Sequence, residues 1–351
     1  MPLLSQVKTQ QAQQVNLHAP APPPELPTIC VVIPCYNGMP YLPQALDSAL
    51  AQTFSPTGIL VVDDGSTDAS ADCVRQYIHK HPDRNIRLLQ QANAGEPAAR
   101  NTGINATTAQ WVAMLDTDDW WEPNKLELQL QAAQAAGPQC VLVHTGVIKH
   151  FPDGTQTPMD LDGPSRRTGW CTQALLEPTS IGHPSILVRH QAVQKIGGYN
   201  PAFRQACDID LYFRLSAVGT FAFVPQHLLH YRVHAKQMSV SQMNQISFHH
   251  RAIRQFFAQH PRIAAEVGDE YIQTAMAEHI AIKLQSLYWK RQLDEFRQLL
   301  RYADQHHLDS PNLRQWRRRA LWPNWLIHFR DRLSSNPPTP KPASNPTPDS
   351  H

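Results

Sequence analysis

Short apolar runs alternate with helical patterns along residues 29–136, and this alternation restricts the possible folds more than any other feature of the chain. Four runs of apolar residues are each followed by a polar or glycine-containing loop and then by a predicted helix. The predicted strands span 29–34, 59–62, 86–90 and 111–115. A repeat of this kind favours an α/β fold, with a mainly parallel sheet and helices on both of its faces.

The loops after these strands carry the polar residues. Ligands of open α/β sheets bind beyond the carboxyl ends of the strands. The loops at that edge read Asn37-Gly38, Asp63-Asp64-Gly65-Ser66, Asn93-Ala94-Gly95 and Asp116-Thr117-Asp118-Asp119. We therefore expect one binding site, built from four loops along one edge of the sheet.

The fourth loop holds three carboxylates within four residues, namely Asp116, Asp118 and Asp119. Such groups repel one another unless a positive charge lies among them. Mg²⁺ or Mn²⁺ is the natural partner for oxygen ligands, and such an ion could also hold diphosphate oxygens. The alternative is a capping cluster for the helix that begins near Pro123. An Asp-x-Asp spacing alone does not separate these interpretations.

The second loop and Arg100 leave similar alternatives open. Asp63 or Asp64 could accept hydrogen bonds from a nucleobase or a ribose, or the loop could be only a turn at Gly65 followed by a helix cap. Arg100 follows the third loop and could contact a base or a phosphate. The alternative for Arg100 is a surface salt bridge.

Charge and cysteine usage exclude several classes of protein. The formal net charge is +2, which gives no chain-wide basic field for nucleic acid. The six cysteines form no C-x-x-C pair, which suits buried thiols in a reducing cytoplasm. The first residues lack the apolar stretch of a secretory signal, and no apolar run is long enough to span a membrane.

Composition also divides the chain. Residues 1–27 are rich in Gln, Ala and Pro and are predicted to be a disordered arm, as are residues 334–351 at the other end. We assign 28–240 to the α/β domain. Only helical patterns follow, and 241–333 is predicted to be a helical appendage. Its predicted helices span 245–259, 269–290, 293–306 and 312–333.

The segment 312–333 combines six arginines and one aspartate with a large aromatic surface. Its apolar residues are Trp316, Trp322, Trp325, Leu326 and Phe329, and Pro323 should kink or split it. These residues could pack onto the rest of the protein, or the segment could lie on a membrane with its arginines on anionic lipid.

Eight segments between Thr28 and Ser239 resemble glycosyltransferase family 2, whose fold is GT-A. They are VVIPCYNG (31–38), VDDGSTD (62–68), NAGEPAARNTGI (93–104), LDTDD (115–119), HPSILVR (183–189), GGYNP (197–201), CDIDLYFRL (207–215) and YRVHAKQMS (231–239). The resemblance implies inverting transfer of a sugar from a nucleotide-diphosphate donor, usually uridine-linked, to the hydroxyl of a glycan or lipid-linked acceptor. Work on lipid-linked acceptors would place the protein in the cytoplasm, with peripheral contact at the inner face of the plasma membrane.

The resemblance also implies roles for single residues. The implied donor-nucleotide contacts are Pro34, Tyr36, Asp63, Asp64, Arg100 and Asp116. The implied ligands of Mn²⁺ or Mg²⁺ are Asp118, Asp119 and His234. Asp208 resembles the general base, although by position alone it could be a helix N-cap.

Two departures refine the resemblance. Cys207 stands where the family often has an acidic residue, which puts the tuning of Asp208 in question. The Gln-x-x-Arg-Trp motif of processive synthases is missing, so the resemblance implies a non-processive enzyme.

Three other functions are open to the sequence. A catalytically inactive sugar-nucleotide-binding or scaffold protein would keep the same loops. A glycoside hydrolase also needs two carboxylates but no nucleotide pocket. A Rossmann oxidoreductase is disfavoured, because residues 33–38 lack the G-x-G-x-x-G fingerprint.

Overall fold

The computed structural model describes residues 27–163, 166–177, 181–234 and 242–320, and for 242–244 it describes the backbone only. The strands are β1 (Ile29–Cys35), β2 (Gly58–Asp63), β3 (Ile86–Gln90), β4 (Trp111–Met114), β5 (Trp120–Trp121), β6 (Cys140–His150), β7 (Gln156–Pro158), β8 (Leu187–Arg189) and β9 (Thr220–Arg232). The α-helices are α1 (Leu42–Leu50), α2 (Ser70–Lys80), α3 (Glu96–Asn105), α4 (Lys125–Ala136), α5 (His190–Lys195), α6 (Cys207–Ser216), α7 (Gln242–Gln259), α8 (Pro261–Val267), α9 (Asp269–Trp289), α10 (Leu293–Gln305) and α11 (Pro311–Ala320).

The described strands form one mixed, mostly parallel sheet in the order β3-β2-β1-β4-β8-β6-β9-β5, with β7 paired to β6. Neighbours among β1 to β4 are parallel, as predicted. β8 is antiparallel to both β4 and β6, and β5 is antiparallel to β9. The α/β prediction is confirmed, but the antiparallel pairs were not foreseen, because residue periodicity carries no information about strand direction.

Helices cover both faces of the sheet, which explains why the first strands are continuous apolar runs. Every residue of β1 is buried. Ile33 lies in one core with Leu46 of α1, whereas Val32 lies in the other core with Ile104 of α3. A parallel strand covered on both faces needs apolar side chains at successive positions.

Helix boundaries follow local chemistry. α4 begins at Lys125 and ends before Gly137, which has a φ of 86°. α2 begins at Ser70, and the Asp68 carboxylate just before the helix accepts a hydrogen bond from the Ser70 amide (3.0 Å).

Residues 242–320 are helical, as predicted, with one addition. The short helix α8 was not predicted, and it begins at Pro261, where the missing N–H costs nothing. Gly268, with a φ of 88°, separates it from α9.

These helices share a core with the α/β part of the chain. Phe213 of α6 packs against Phe256 and Phe257 of α7, with ring centroids 5.3 and 6.0 Å apart. α6 therefore links the sheet and the C-terminal helices.

Trp316 of α11 shows how one apolar residue of the segment 312–333 is placed, either packed onto the protein or free to lie on a membrane. Its ring lies 5.3 Å from that of Tyr288 and 6.1 Å from that of Phe296, and it is only 6% exposed. The packing interpretation is therefore correct for Trp316. The described residues do not include Pro323 or the other apolar residues of that segment. They also do not include the two segments predicted to be disordered, except for Pro27.

Among the described residues, no helix has the length and apolar character needed to span a membrane.

Candidate active site

The loops after the first four strands meet at one edge of the sheet. Cys35 at the end of β1 pairs with Asp63 at the end of β2, and Asp63 pairs with Gln90 at the end of β3. The first two loops are also joined by side chains. The Asn37 carboxamide oxygen accepts a hydrogen bond from the Thr67 amide (2.8 Å). Register and these bonds bring the predicted loops together.

Pro34 and Tyr36 lie on either side of the strand end. Pro34 is buried in β1, whereas Tyr36 is 55% exposed in the loop beyond it. A large exposed aromatic ring at a strand edge is suited to stacking on a planar base.

Asp63 and Asp64 are both buried and both fix loops. Asp63 accepts a hydrogen bond from the Ser66 amide (2.9 Å), which is the turn role anticipated as an alternative. Asp64 accepts bonds from the amides of Ala94 and Gly95, each at 2.8 Å. Asp64 thus holds the loop that leads into α3.

Arg100 is buried at the centre of the site, so the surface salt bridge suggested for it is wrong. Its Nη2 pairs with Asp116 Oδ1 (2.8 Å) and with the carboxylate of Glu96. Its Nη1 donates to Cys207 Sγ (3.4 Å), and its guanidinium lies 5.4 Å from the centre of the Tyr199 ring. Sequence reasoning missed Glu96, although its i, i+4 spacing from Arg100 was a usable signal.

Burial changes the pKa of the carboxylates in this site. It raises the pKa of Glu96 to about 7, against the opposing effect of Arg100. Burial also raises the pKa of Asp116 and of Asp208. A carboxylate with a raised pKa takes up a proton more readily, which is what a general base must do.

Asp208 lies in the first turn of α6 but does not cap it. The N-cap is Ala206, which has a left-handed backbone (φ 58°) and makes no side-chain capping bond. The neighbouring Asp210 is bound by Arg214, whose Nη1 donates to the Gly198 carbonyl (2.8 Å). Asp210 is therefore structural. Because the N-cap position is occupied by Ala206, the capping alternative for Asp208 is wrong.

A buried chain of rings supports this part of the site and was also missed. His183 Nε2 lies 2.8 Å from the Tyr199 hydroxyl, and its Nδ1 lies 2.8 Å from the Tyr212 hydroxyl. Asn101 binds the backbone of Tyr199 through both its oxygen (2.7 Å) and its nitrogen (2.8 Å). Tyr199 is the ring on which Arg100 rests.

The carboxylates after β4 lie near the end of β9. Asp118 Oδ2 is 2.9 Å from His234 Nε2. Asp119 is buried; its Oδ1 accepts a bond from the Arg232 amide (2.9 Å), and its Oδ2 has no hydrogen-bond partner among the described residues. None of the three predicted carboxylates caps α4, whose N-cap is Asn124.

These residues fit a divalent cation whose remaining ligands would come from a bound substrate. Within the described ranges, no three side chains of His, Cys, Asp or Glu form a ready-made metal cage. Asp118 and His234 nevertheless face each other, and the buried Oδ2 of Asp119 lacks a partner nearby. Mg²⁺ in nucleotide sites usually takes one or two carboxylates and fills its other positions with phosphate oxygens and water.

Comparison with known proteins adds a family and a fold. The family model described as Glycosyl transferase family 2 matches residues 30–197. An uncharacterized glycosyltransferase of Nostoc is 32% identical over 224 residues, which cover 61% of this chain and 67% of that protein.

Two solved structures share the fold. S. aureus TarS in complex with UDP-GlcNAc has a TM-score of 0.56 at 16% identity and covers 78% of this chain and 79% of its own. The Pyrobaculum calidifontis mannosyltransferase PcManGT, in complex with GDP-Man and Mn²⁺, has a TM-score of 0.55 at 19% identity. It covers 86% of this chain and 89% of its own.

Proposed function

Since the chain belongs to glycosyltransferase family 2, we propose that it is an inverting, non-processive enzyme that moves a sugar from a nucleotide-diphosphate donor, most simply UDP-linked, to a hydroxyl of a glycan or lipid-linked acceptor. The placement of Asp208 supports this proposal. Its neighbour Cys207 contacts Arg100, and the charges of Arg100 and Asp116 both act on the Asp208 carboxylate. We assign the transferase domain to 28–240 and the helical appendage to 241–333.

The donor would lie across the loop edge. Tyr36 and Pro34 would contact the base, and Asp63, Asp64, Arg100 and Asp116 would contact the nucleotide. TarS and PcManGT, which share the fold, bind UDP-GlcNAc and GDP-Man respectively. Mn²⁺ or Mg²⁺, held by Asp118, Asp119 and His234, would supply positive charge for the diphosphate.

Asp208 would take the proton from the acceptor hydroxyl as that oxygen attacks the anomeric carbon. Attack from the side opposite the departing diphosphate inverts the configuration at that carbon. Burial raises the pKa of Asp208, which strengthens it as a proton acceptor. The rigid support of α6 contributes by aligning the base with the acceptor, because correct alignment supplies much of the rate in two-substrate reactions.

A donor screen tests this function. The protein is incubated with UDP-, GDP- and dTDP-linked sugars, with and without Mn²⁺, and the released nucleoside diphosphate is measured. We expect release with at least one donor, and a loss of about 10²-fold or more in Asp208→Asn. Asp72→Asn, on the exposed side of α2, is the matched control.

Two outcomes contradict the proposal. Absence of both turnover and nucleotide binding by calorimetry would refute it. Binding of a nucleotide sugar without turnover by the wild type would favour the inactive sugar-nucleotide-binding alternative.

We also propose that the end of the chain brings the enzyme to the cytoplasmic face of a membrane, where lipid-linked acceptors would lie. Arg314, Arg318 and Arg319 of α11 line a shared cavity of about 320 Å³. Because Trp316 packs inward, lipid contact would have to come from arginines and from residues after Ala320.

A further inference from the structure

The buried guanidinium of Arg100 is surrounded unequally. Its Nη2 is shared by two carboxylates, those of Glu96 and Asp116. Its Nη1 reaches only the thiol of Cys207 (3.4 Å), and its Nε has no partner among the described residues. A buried cation needs compensating charge, so the identity of each neighbour matters.

Cys207 cannot provide that charge. Burial raises the pKa of its thiol far above the usual range, so the sulfur is a neutral and weak acceptor. On that side Arg100 contacts a thiol and not a carboxylate. Among the described residues, the carboxylates that pair directly with Arg100 are both on the Nη2 side.

Glu96 is held in place for this task. It is the first residue of α3, where a carboxylate is favoured by the helix dipole, and it lies one turn before Arg100. The residue before it, Gly95, has its amide bound by Asp64 (2.8 Å). Pro97 follows it at the start of the helix. The backbone on both sides of Glu96 is thus fixed, and its side chain is aimed at Arg100.

We propose that Glu96 is a positioning residue of the transferase, which supplies the negative charge that position 207 lacks and so holds Arg100 between Asp116 and the helix that carries Asp208. This inference rests on the proposed function for its kinetic consequences only. The charge arrangement itself is independent of what the enzyme transfers.

The mechanism of the effect is geometric. Arg100 contacts Asp116 on the donor side and Cys207 next to the base. With Glu96 neutralised, Asp116 is the one described carboxylate that still pairs directly with the guanidinium. The position of the donor loop relative to α6 is then held less tightly. A misplacement of this kind lowers kcat more than it changes the KM of the donor.

Moving the charge across the guanidinium tests the proposal. At pH 8, where a Glu96 carboxyl with a pKa of about 7 is ionised, we expect Glu96→Gln to lower kcat by about 10²-fold with little change in the KM of the donor. The double variant Glu96→Gln with Cys207→Glu should recover at least about tenfold of that loss, because a carboxylate at 207 reaches the other side of the same guanidinium. Glu96→Gln with Cys207→Ser is the control, which changes the same position without adding charge.

The outcomes separate this inference from the proposed function. Wild-type-like kcat in Glu96→Gln, or no recovery in the charge-moved variant, overturns the inference while the transferase activity stands. If the wild type transfers no sugar, the proposed function fails. The same four proteins are then compared by thermal unfolding, where the inference requires that Cys207→Glu raises Tm in the Glu96→Gln background and Cys207→Ser does not.

Discussion

Lowering the pH from about 8 to about 5 should strongly destabilise the C-terminal helices, because His250 and His279 are buried between α7 and α9 and the half-buried His249 lies beside them. The ring of His279 lies 4.7 Å from that of His249 and 6.0 Å from that of His250. Both ring nitrogens of His250 lack a hydrogen-bond partner in the described part of the chain. Around them lie Tyr302 and the His306 ring, which accepts a bond from Arg254 (2.8 Å).

The sign of the effect follows from these pKa values. Burial lowers the pKa of His249 to about 3 and that of His279 to about 4, and it lowers the pKa of His250 well below its usual range. The positive charge of neighbouring histidines lowers the pKa of His249 and His250 further. For His279, hydrogen bonds with the backbone of Leu176 and Glu177 raise the pKa and partly offset the effect of burial.

The unfolded chain therefore binds more protons than the folded one below the ordinary histidine pKa of about 6.5. The stability that the neutral histidines contribute is fully present above that pH. It declines as the pH falls toward the pKa values that these histidines have in the folded protein. Between about pH 8 and about pH 5 each histidine costs about 2 kcal/mol, and the three together cost about 6 kcal/mol. That amount is comparable to the whole stability of many domains, which is about 5–15 kcal/mol.

The loss should reach the active site. α7 packs on α6 through Phe256, Phe257 and Phe213, and α6 carries Asp208. We expect acid inactivation to follow the unfolding of these helices.

Urea denaturation at several pH values measures the effect. In His250→Leu, the free energy of unfolding should change by about 2 kcal/mol less over the same pH range than in the wild type. His79→Gln, an exposed residue at the end of α2, is the control and should follow the wild type. An unchanged pH slope in His250→Leu, or a wild type equally stable at both pH values, would refute the reasoning.

Three further predictions follow from the site and the helices. Asp118→Asn should abolish the Mn²⁺ dependence of donor turnover while leaving Tm unchanged; turnover that is insensitive to EDTA in the wild type would contradict it. Trp316→Ala should lower the free energy of unfolding by about 3–5 kcal/mol, since it removes a buried ring from between Tyr288 and Phe296; a loss below about 1 kcal/mol would show that the ring does not pack there. A chain cut after Ala320 keeps Trp316 and should lose flotation with anionic liposomes that the full chain shows, whereas equal flotation of the two would remove the membrane proposal.

The sequence alone determined the α/β class and the edge at which the site lies. Strands buried on both faces must be continuously apolar, and the connections between them run along the edges of the sheet. Both patterns are local and can be recognised in short stretches of sequence. The motifs around Asp116 and Asp208 allowed the family to be recognised from sequence for the same reason, because each is a short contiguous stretch.

Partners that are distant in the chain were decided only by tertiary structure. Arg100 was predicted to contact a ligand or to lie on the surface, yet it is buried against Cys207, which is 107 residues away. Trp316 could be assigned to a core only once α9 and α10 were seen against it. Sequence patterns report which face of an element is apolar, whereas burial of a charge and the identity of its counter-charge depend on how separate elements pack.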